Sequence, residues 1–178
     1  MIIYGKQFPK GTFVAQSNAP YTVTRNLLIQ QIDDLSVKLA TQIEEMGFLA
    51  LPVPSTDPYE YWDAERRHGR GILSLKHAAE LAGVGSIGKN TLLINEKYGN
   101  RLWLGGVITS MELEPDPMTE KFCLPNCHIC IDACPQEALN EVTIEQSRCR
   151  EICFTCTEGG GWIIACNRCR VECPFAGL

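Results

Sequence analysis

CLPNCHICIDACP, residues 123–135, and CNRCRVECP, residues 166–174, carry the same arrangement of thiols. Cys127, Cys130 and Cys134 run into Pro135 as C-x-x-C-x-x-x-C-P, and Cys166, Cys169 and Cys173 run into Pro174 in the same way. All ten cysteines lie between Cys123 and Cys173, which divides the chain into a thiol-free part, residues 1–118, and a thiol-rich part, residues 119–178. A disulfide scaffold is the first explanation for such density. It belongs to small secreted chains, and the opening MIIYGKQFPKG has neither the charged segment nor the apolar run of an export signal. Tetrahedral zinc also uses C-x-x-C pairs, but the third cysteine and the proline behind it argue against a zinc ribbon.

The repeated run is the tail of the bacterial ferredoxin pattern, C-x2-C-x2-C-x3-C-P, in which three close thiolates wrap one cubane and the fourth, before proline, reaches the other. Duplication predicts two [4Fe-4S] clusters with crossed ligands. The first run departs from the pattern because three residues, with Pro125 among them, separate Cys123 from Cys127. In the second run the leading position is Ile163, so a thiolate must come from upstream, from Cys149, Cys153 or Cys156. The predicted ligands are Cys123, Cys127, Cys130 and Cys173 for one cluster, and Cys134, Cys166, Cys169 and one of those three for the other. The remaining C-x-x-C thiols suit a redox dithiol, an alternative ligand set, half of a site shared between subunits, or spare reduced thiols. A helical turn over 136–139 and a short strand over 141–146 are expected around the clusters. Ile129, Ile131, Leu139, Ile144, Val171 and Phe175 are expected to shield them, since low solvent exposure is one control on cluster potential.

The chain has 178 residues and a formal charge of −5, which accommodates one core plus an appendage. Without a dense run of Lys or Arg, this balance argues against nucleic acid as a partner of this chain alone. No apolar run approaches the roughly 18 residues of a membrane span, so the expectation is a soluble, cytoplasmic protein.

In the first part, IIYGKQFP (2–9) reads as a strand. TVTRNLLIQQIDDLSVKLATQIEEMG (22–47) reads as a helix with a core stripe of Leu28, Ile32, Leu35, Leu39, Ile43 and Met46. FLALPVP (48–54) reads as a buried strand, the stretch from Gly71 to Gly83 as a helix, LWLGGVITSMEL (102–113) as a strand with a glycine break, and EPDPM (114–118) as a linker. Helices and strands ahead of a separate cysteine module predict an α+β fold.

AGVGSIGKN, residues 82–90, imitates two phosphate-binding motifs, G-x-G-x-x-G and G-x-x-x-x-G-K. Both need a strand before the glycines and a helix after them. Here a helix precedes, Gly83 stands where a helix C-cap would, and Asn90 replaces the Ser or Thr that would ligate Mg²⁺. The glycines still permit close approach by a planar or bulky cofactor.

From Lys76 to Pro174 the ordered combination of AELAGVGSIGKNTLLINEKYGNRLWLGGVITSMELEPD, the first cysteine run, Arg148-Cys149 and the second cysteine run resembles the epoxyqueuosine reductase family. The resemblance implies a cobalamin-dependent iron–sulfur reductase. A truncated nitroreductase-like α/β domain, residues 1–118, would bind cofactor and substrate. A ferredoxin-like domain with two [4Fe-4S] clusters, residues 119–178, would deliver single electrons. It implies Cys149 as the upstream ligand, and a corrin-side pocket of Gly83, Gly85, Ile87, Gly88, Lys89, Asn90 and Thr91. Compared with the family, the region before the first strand is short and nothing follows the second cysteine run. By chain order Asp57 is the candidate catalytic acid, with Asp63 behind it, and His77 or His68 could act as donor or lower ligand. Partners implied are an electron donor protein or reductant, a small-molecule substrate and a second copy of the chain. A flavin is the second choice of cofactor, and an electron-carrier subunit docking on a larger redox enzyme is the alternative function.

Overall fold

The computed structural model describes residues 1–177. The first part contains β1 (Ile2–Gln7), α1 (Gly11–Val14), α2 (Ala19–Glu45), β2 (Ala50–Val53), β3 (Tyr61–Asp63), β4 (His68–Arg70), α3 (Leu75–Leu81), β5 (Ser86–Ile87), β6 (Leu93–Ile94) and β7 (Leu102–Thr109). The second part contains α4 (Ile129–Asp132), α5 (Gln146–Cys153), β8 (Phe154–Cys156), β9 (Trp162–Ile164) and α6 (Arg168–Val171).

An antiparallel sheet of order β1-β7-β2 carries the first part. β7 is its central strand, pairing from Ile2↔Val107 to Gln7↔Leu102 on one side and from Ala50↔Thr109 to Val53↔Gly106 on the other. The expected glycine break is absent, because Gly105 and Gly106 both sit in register within β7. Gly105 instead lets α2 descend onto the sheet: a Cβ there would stand 2.5 Å from Ile32 Cγ2. Tyr4 and Ser36 share a hydroxyl hydrogen bond of 2.6 Å across the same seam.

This close approach changes which face of α2 is buried. After Tyr21 and Thr22 at its start, the buried set is Leu28, Ile32, Ser36, Ala40 and Ile43, whose small members suit a helix pressed on a strand. Leu35 and Met46 fall off that face and are exposed, contrary to the predicted stripe, while Leu39 packs partly against the Ala40, Ile43 and Val107 cluster. The predicted buried strand at 48–54 is an edge strand in which only Val53 is buried; Leu49 and Leu51 face outward. The third helix starts at Leu75 rather than near Gly71. It ends as a Schellman motif, with Gly83 at φ +72°, its N–H donating to Glu80 O and the Val84 N–H to Ala79 O. The strand expected over 141–146 is reduced to a single bridge, Leu139↔Ile144, because α5 begins at Gln146.

The two parts share a core. Phe8, Phe13, Tyr21 and Leu28 pack with Ile164, and Trp103, Cys153 and Val171 close around them. Polar contacts reinforce the joint: the Thr22 hydroxyl accepts from the Ile164 N–H at 3.0 Å, and Asn18 Nδ2 donates to Ala165 O at 2.8 Å. Asn100 and Arg170 are both buried and exchange bonds, Asn100 Nδ2 to Arg170 O at 2.9 Å and Arg170 Nη1 to Asn100 O at 2.7 Å.

Candidate metal centre and flanking cavities

Pairing across the repeat groups the thiols. Cys123, Cys127, Cys130 and Cys173 line one cavity, together with Lys89, Asn90 and Ile94 from the first part of the chain. Three of these thiols come from the first cysteine run and Cys173 from the end of the second, the crossing that the duplicated spacing predicts. Short helices turn the thiols inward: α4 places Cys130, α6 places Cys169, and each run leaves its helix before the proline. Burial pushes the Cys130 thiol up to about 11, and the neighbouring Cys173, Cys123 and Cys127 push the same way.

Cys134, Cys149, Cys166 and Cys169 form the second group. Burial raises Cys169 to about 12, Arg170 opposes this, and the sulfurs of Cys149, Cys166 and Cys134 add to the rise. Cys153, one turn after Cys149 on α5, belongs to this group as well. Its thiol donates to Cys166 O at 3.8 Å, and its contact with the Cys149 sulfur holds Cys149 down to about 7 and drives Cys153 upward. Cys156 lies apart, exposed on β8. No three His, Cys, Asp or Glu side chains among the described residues converge tightly enough for a single metal ion. A cubane makes a different demand, because its four ligands stand around a cage rather than a point.

The loop at 82–91 is built into the chain's own packing. A Cβ on Gly83 would collide with Pro117 O, one on Gly85 with Ile94 O, and one on Gly88 would meet Ile94 Cδ1 at 2.6 Å. The Ile87 N–H is held by Glu80 Oε1 at 2.8 Å. Lys89 Nζ donates to Pro125 O at 2.7 Å and pairs with Glu141 at 3.1 Å, while Asn90 Nδ2 donates to Cys169 O at 3.1 Å. These two side chains therefore clasp the cysteine segment. Thr91, at φ +59°, faces elsewhere, into a cavity of about 150 Å³ with Ser55, Lys76, Trp103 and Arg170. There Ser55 Oγ and Trp103 Nε1 are buried without hydrogen-bond partners, and burial lowers the Lys76 ammonium pKa, with Lys76 Nζ donating to Thr91 O at 3.0 Å.

Asp57 lines a separate groove with Arg25, Tyr59 and Arg150. Asp63 caps its own hairpin, accepting the Arg66 N–H at 3.0 Å. His77 Nδ1 bonds the Ser74 hydroxyl at 2.6 Å, and His68 pairs with Asp63 across β3 and β4. The reciprocal Asn100–Arg170 pair and the two arginines beside Asp57 escape motif reading, because isolated Asn and Arg residues carry no spacing signal. No helix among the described residues is long and apolar enough to cross a membrane.

No family model matches the chain. Over 117 residues it is 33% identical to the epoxyqueuosine reductase of Gloeobacter violaceus, covering 59% of this chain and 36% of that protein. Over 116 residues it is 34% identical to the Bacillus subtilis epoxyqueuosine reductase, covering 59% of this chain and 30% of that one. The chain thus spans about a third of the length of these curated relatives. In three dimensions it is similar to the epoxyqueuosine reductase of Streptococcus thermophilus, with a TM-score of 0.59 and 26% identity over 82% of this chain and 38% of the other. It has the same fold as an epoxyqueuosine reductase crystallised with a modified tRNA stem loop, with a TM-score of 0.60 and 24% identity over 83% of this chain and 39% of that one. The mixed helix and strand architecture is therefore that of epoxyqueuosine reductase structures, and the chain is similar to epoxyqueuosine reductases in sequence and in fold.

Proposed function

We propose that the chain is an iron–sulfur reductase that passes single electrons through two [4Fe-4S] clusters to a corrinoid, or failing that a flavin, held by residues 1–118. The observation that carries this reading is the crossed grouping of thiols, with Cys173 joining Cys123, Cys127 and Cys130 at one cavity. The similarity to epoxyqueuosine reductases supports a reductase over a carrier subunit. Cys134, Cys166, Cys169 and Cys149 are the proposed second set, and residues 119–178 the proposed cluster-bearing domain.

When bound, the clusters supply one-electron transfer. The chain's own residues set their surroundings. Burial raises the Cys173 thiol and the nearby Asn100 amide opposes that rise, while Arg170 places positive charge beside Cys169 and likewise favours the thiolate. Phe8 lies over the Arg170 guanidinium at 5.2 Å and keeps water from it.

The residues present suit a large cofactor in part. Unpartnered Ser55 Oγ and Trp103 Nε1, with Lys76, would receive a polar side group in the cavity beside Thr91. That cavity takes an appendage, not a macrocycle. Asp57 is the proposed proton donor, on the next groove along. The expectation that nucleic acid is no partner is not borne out, because a relative of the same fold has been crystallised with a tRNA stem loop. In this chain the exposed Tyr61, Trp62, Arg66, Arg67 and Arg70 of the β3–β4 hairpin would supply stacking and charge for such a substrate.

Anaerobic reconstitution followed by iron, sulfide and EPR analysis tests the cluster reading, with about eight iron atoms per chain expected from two four-iron clusters. Titration with cob(II)alamin tests the second half. A protein-specific cobalt spectrum saturating at one equivalent supports it, and an unchanged free spectrum beside intact cluster signals removes the corrinoid.

A further inference from the structure

We propose that the groove between the start of α2, the loop at 55–59 and the β8–β9 hairpin binds a small planar aromatic ligand carrying one carboxylate. The groove measures about 360 Å³ and is lined by Arg25, Asp57, Tyr59, Arg150, Phe154 and Trp162, among others. That size falls within the range of small-molecule sites.

Its two cations form no close ion pair, although Asp57 lies near enough to favour the charge on Arg25. Neither Arg25 nor Arg150 takes part in any ion pair found among the described residues. Arg25 donates only to neutral oxygens, Asn26 Oδ1 at 3.1 Å and Thr56 Oγ1 at 3.3 Å, and Arg150 only to the Tyr59 hydroxyl at 2.9 Å. Aromatic faces hold both guanidinium planes in place: Arg25 lies 5.2 Å from Trp103 and 6.0 Å from Trp162, and Arg150 lies 4.9 Å from Trp62 and 5.4 Å from Tyr59. A guanidinium fixed in this way and left with free N–H groups is a fork awaiting a carboxylate.

The walls select a flat ligand. Phe154 and Trp162 are 43% and 45% exposed with ring centroids 5.9 Å apart, which leaves ring surface open to stacking. Asp57 selects the charge: one carboxylate on the lining repels a polyanion such as a phosphate ester while two arginines still attract a monoanion. β8 follows directly from Cys153 on α5, so the ligand would rest beside the second thiol group. Its use as a substrate rests on the reductase reading above, but the site itself does not.

The test is a tryptophan-fluorescence titration of the reconstituted protein with 2-naphthoate and its neutral counterpart 2-naphthamide. Saturable naphthoate binding, with the amide and the Arg150→Gln protein each at least about tenfold weaker, is expected for loss of a charge-assisted contact. Trp162→Leu should weaken naphthoate comparably, while Trp162→Phe, which keeps a wall, should bind more tightly than the leucine protein. Equal affinity for acid and amide, or no saturation by naphthoate, overturns the proposal, as does an oligoribonucleotide that saturates the groove where naphthoate does not. Iron content read on the same samples separates the two ideas. Naphthoate binding without clusters sinks the reductase reading alone, and clusters without binding sink the site alone.

Discussion

Phe8→Ala should weaken both parts of the molecule at once. Phe8 has no exposed surface and stacks on Tyr21 at 5.2 Å, with Phe13 at 5.6 Å, Trp103 at 6.3 Å and the Arg170 guanidinium at 5.2 Å. Truncating a buried phenylalanine costs about 3–5 kcal/mol through lost transfer energy and the cavity left behind. Several rigid rings surround this site and cannot all collapse into the gap, which argues for the upper half of that range. For a protein of this length each kcal/mol moves Tm by about 2–4 °C, so the variant should melt about 8–20 °C lower. Because Ile164, Cys153 and Val171 pack on the same cluster, the loss should be transmitted to the second thiol group. Anaerobic thermal melts followed by circular dichroism, with iron release recorded in parallel, measure both effects. One lowered transition with earlier iron loss is expected. Two transitions, of which only one moves while iron release stays at the wild-type temperature, would refute the shared core.

Cys173→Ala should remove about half of the iron, because the thiol lines the first cavity with Cys123, Cys127 and Cys130; iron analysis and EPR of the remaining cluster check this. In the metal-free protein near neutral pH, iodoacetamide should alkylate Cys149, held down to about 7, well before Cys130 and Cys169, raised to about 11 and about 12, a ranking that peptide mass spectrometry reads directly. Burial lowers Lys76 below its ordinary 10.5, so between that lowered value and 10.5 the unfolded chain binds more protons and stability rises with pH. Urea midpoints across that window should climb more steeply in the wild type than in Lys76→Met; parallel slopes would show that Lys76 is not desolvated. Gly85→Ala should destabilise the fold by about 1–3 kcal/mol through overpacking against Ile94 O, seen as a lower urea midpoint, whereas Gly159→Ala, which meets nothing within 4 Å, should not.

Glycine placement shows why motif reading goes only so far. AGVGSIGKN has the letters of a phosphate loop, yet Gly83 closes a Schellman cap and Gly85 makes room for the carbonyl of Ile94. The helix before the loop and Asn90 after Lys89 were enough to reject the phosphate reading from sequence. Which surface each glycine touches depended on residues outside the loop, Ile94 for Gly85 and Gly88 and Pro117 for Gly83. The same holds for α2: its helical period is plain, but the exposure of Leu35 and Met46 follows from a sheet strand opened by Gly105.

By itself the sequence grouped the thiols of the second half. Cysteines at fixed short separations, ending in proline, impose local turns that gather three thiols of each run on one side, and that grouping depends little on the rest of the chain. The long helix α2 and the C-cap at Gly83 were legible for the same reason, since each rests on neighbours within a turn. Tertiary structure alone decided what those elements face. Only the folded chain set Lys89 and Asn90 against the thiol cavity, and gathered Arg25 and Arg150 with Tyr59, Phe154 and Trp162 around one groove. Such contacts join residues far apart in sequence, and no local propensity encodes them.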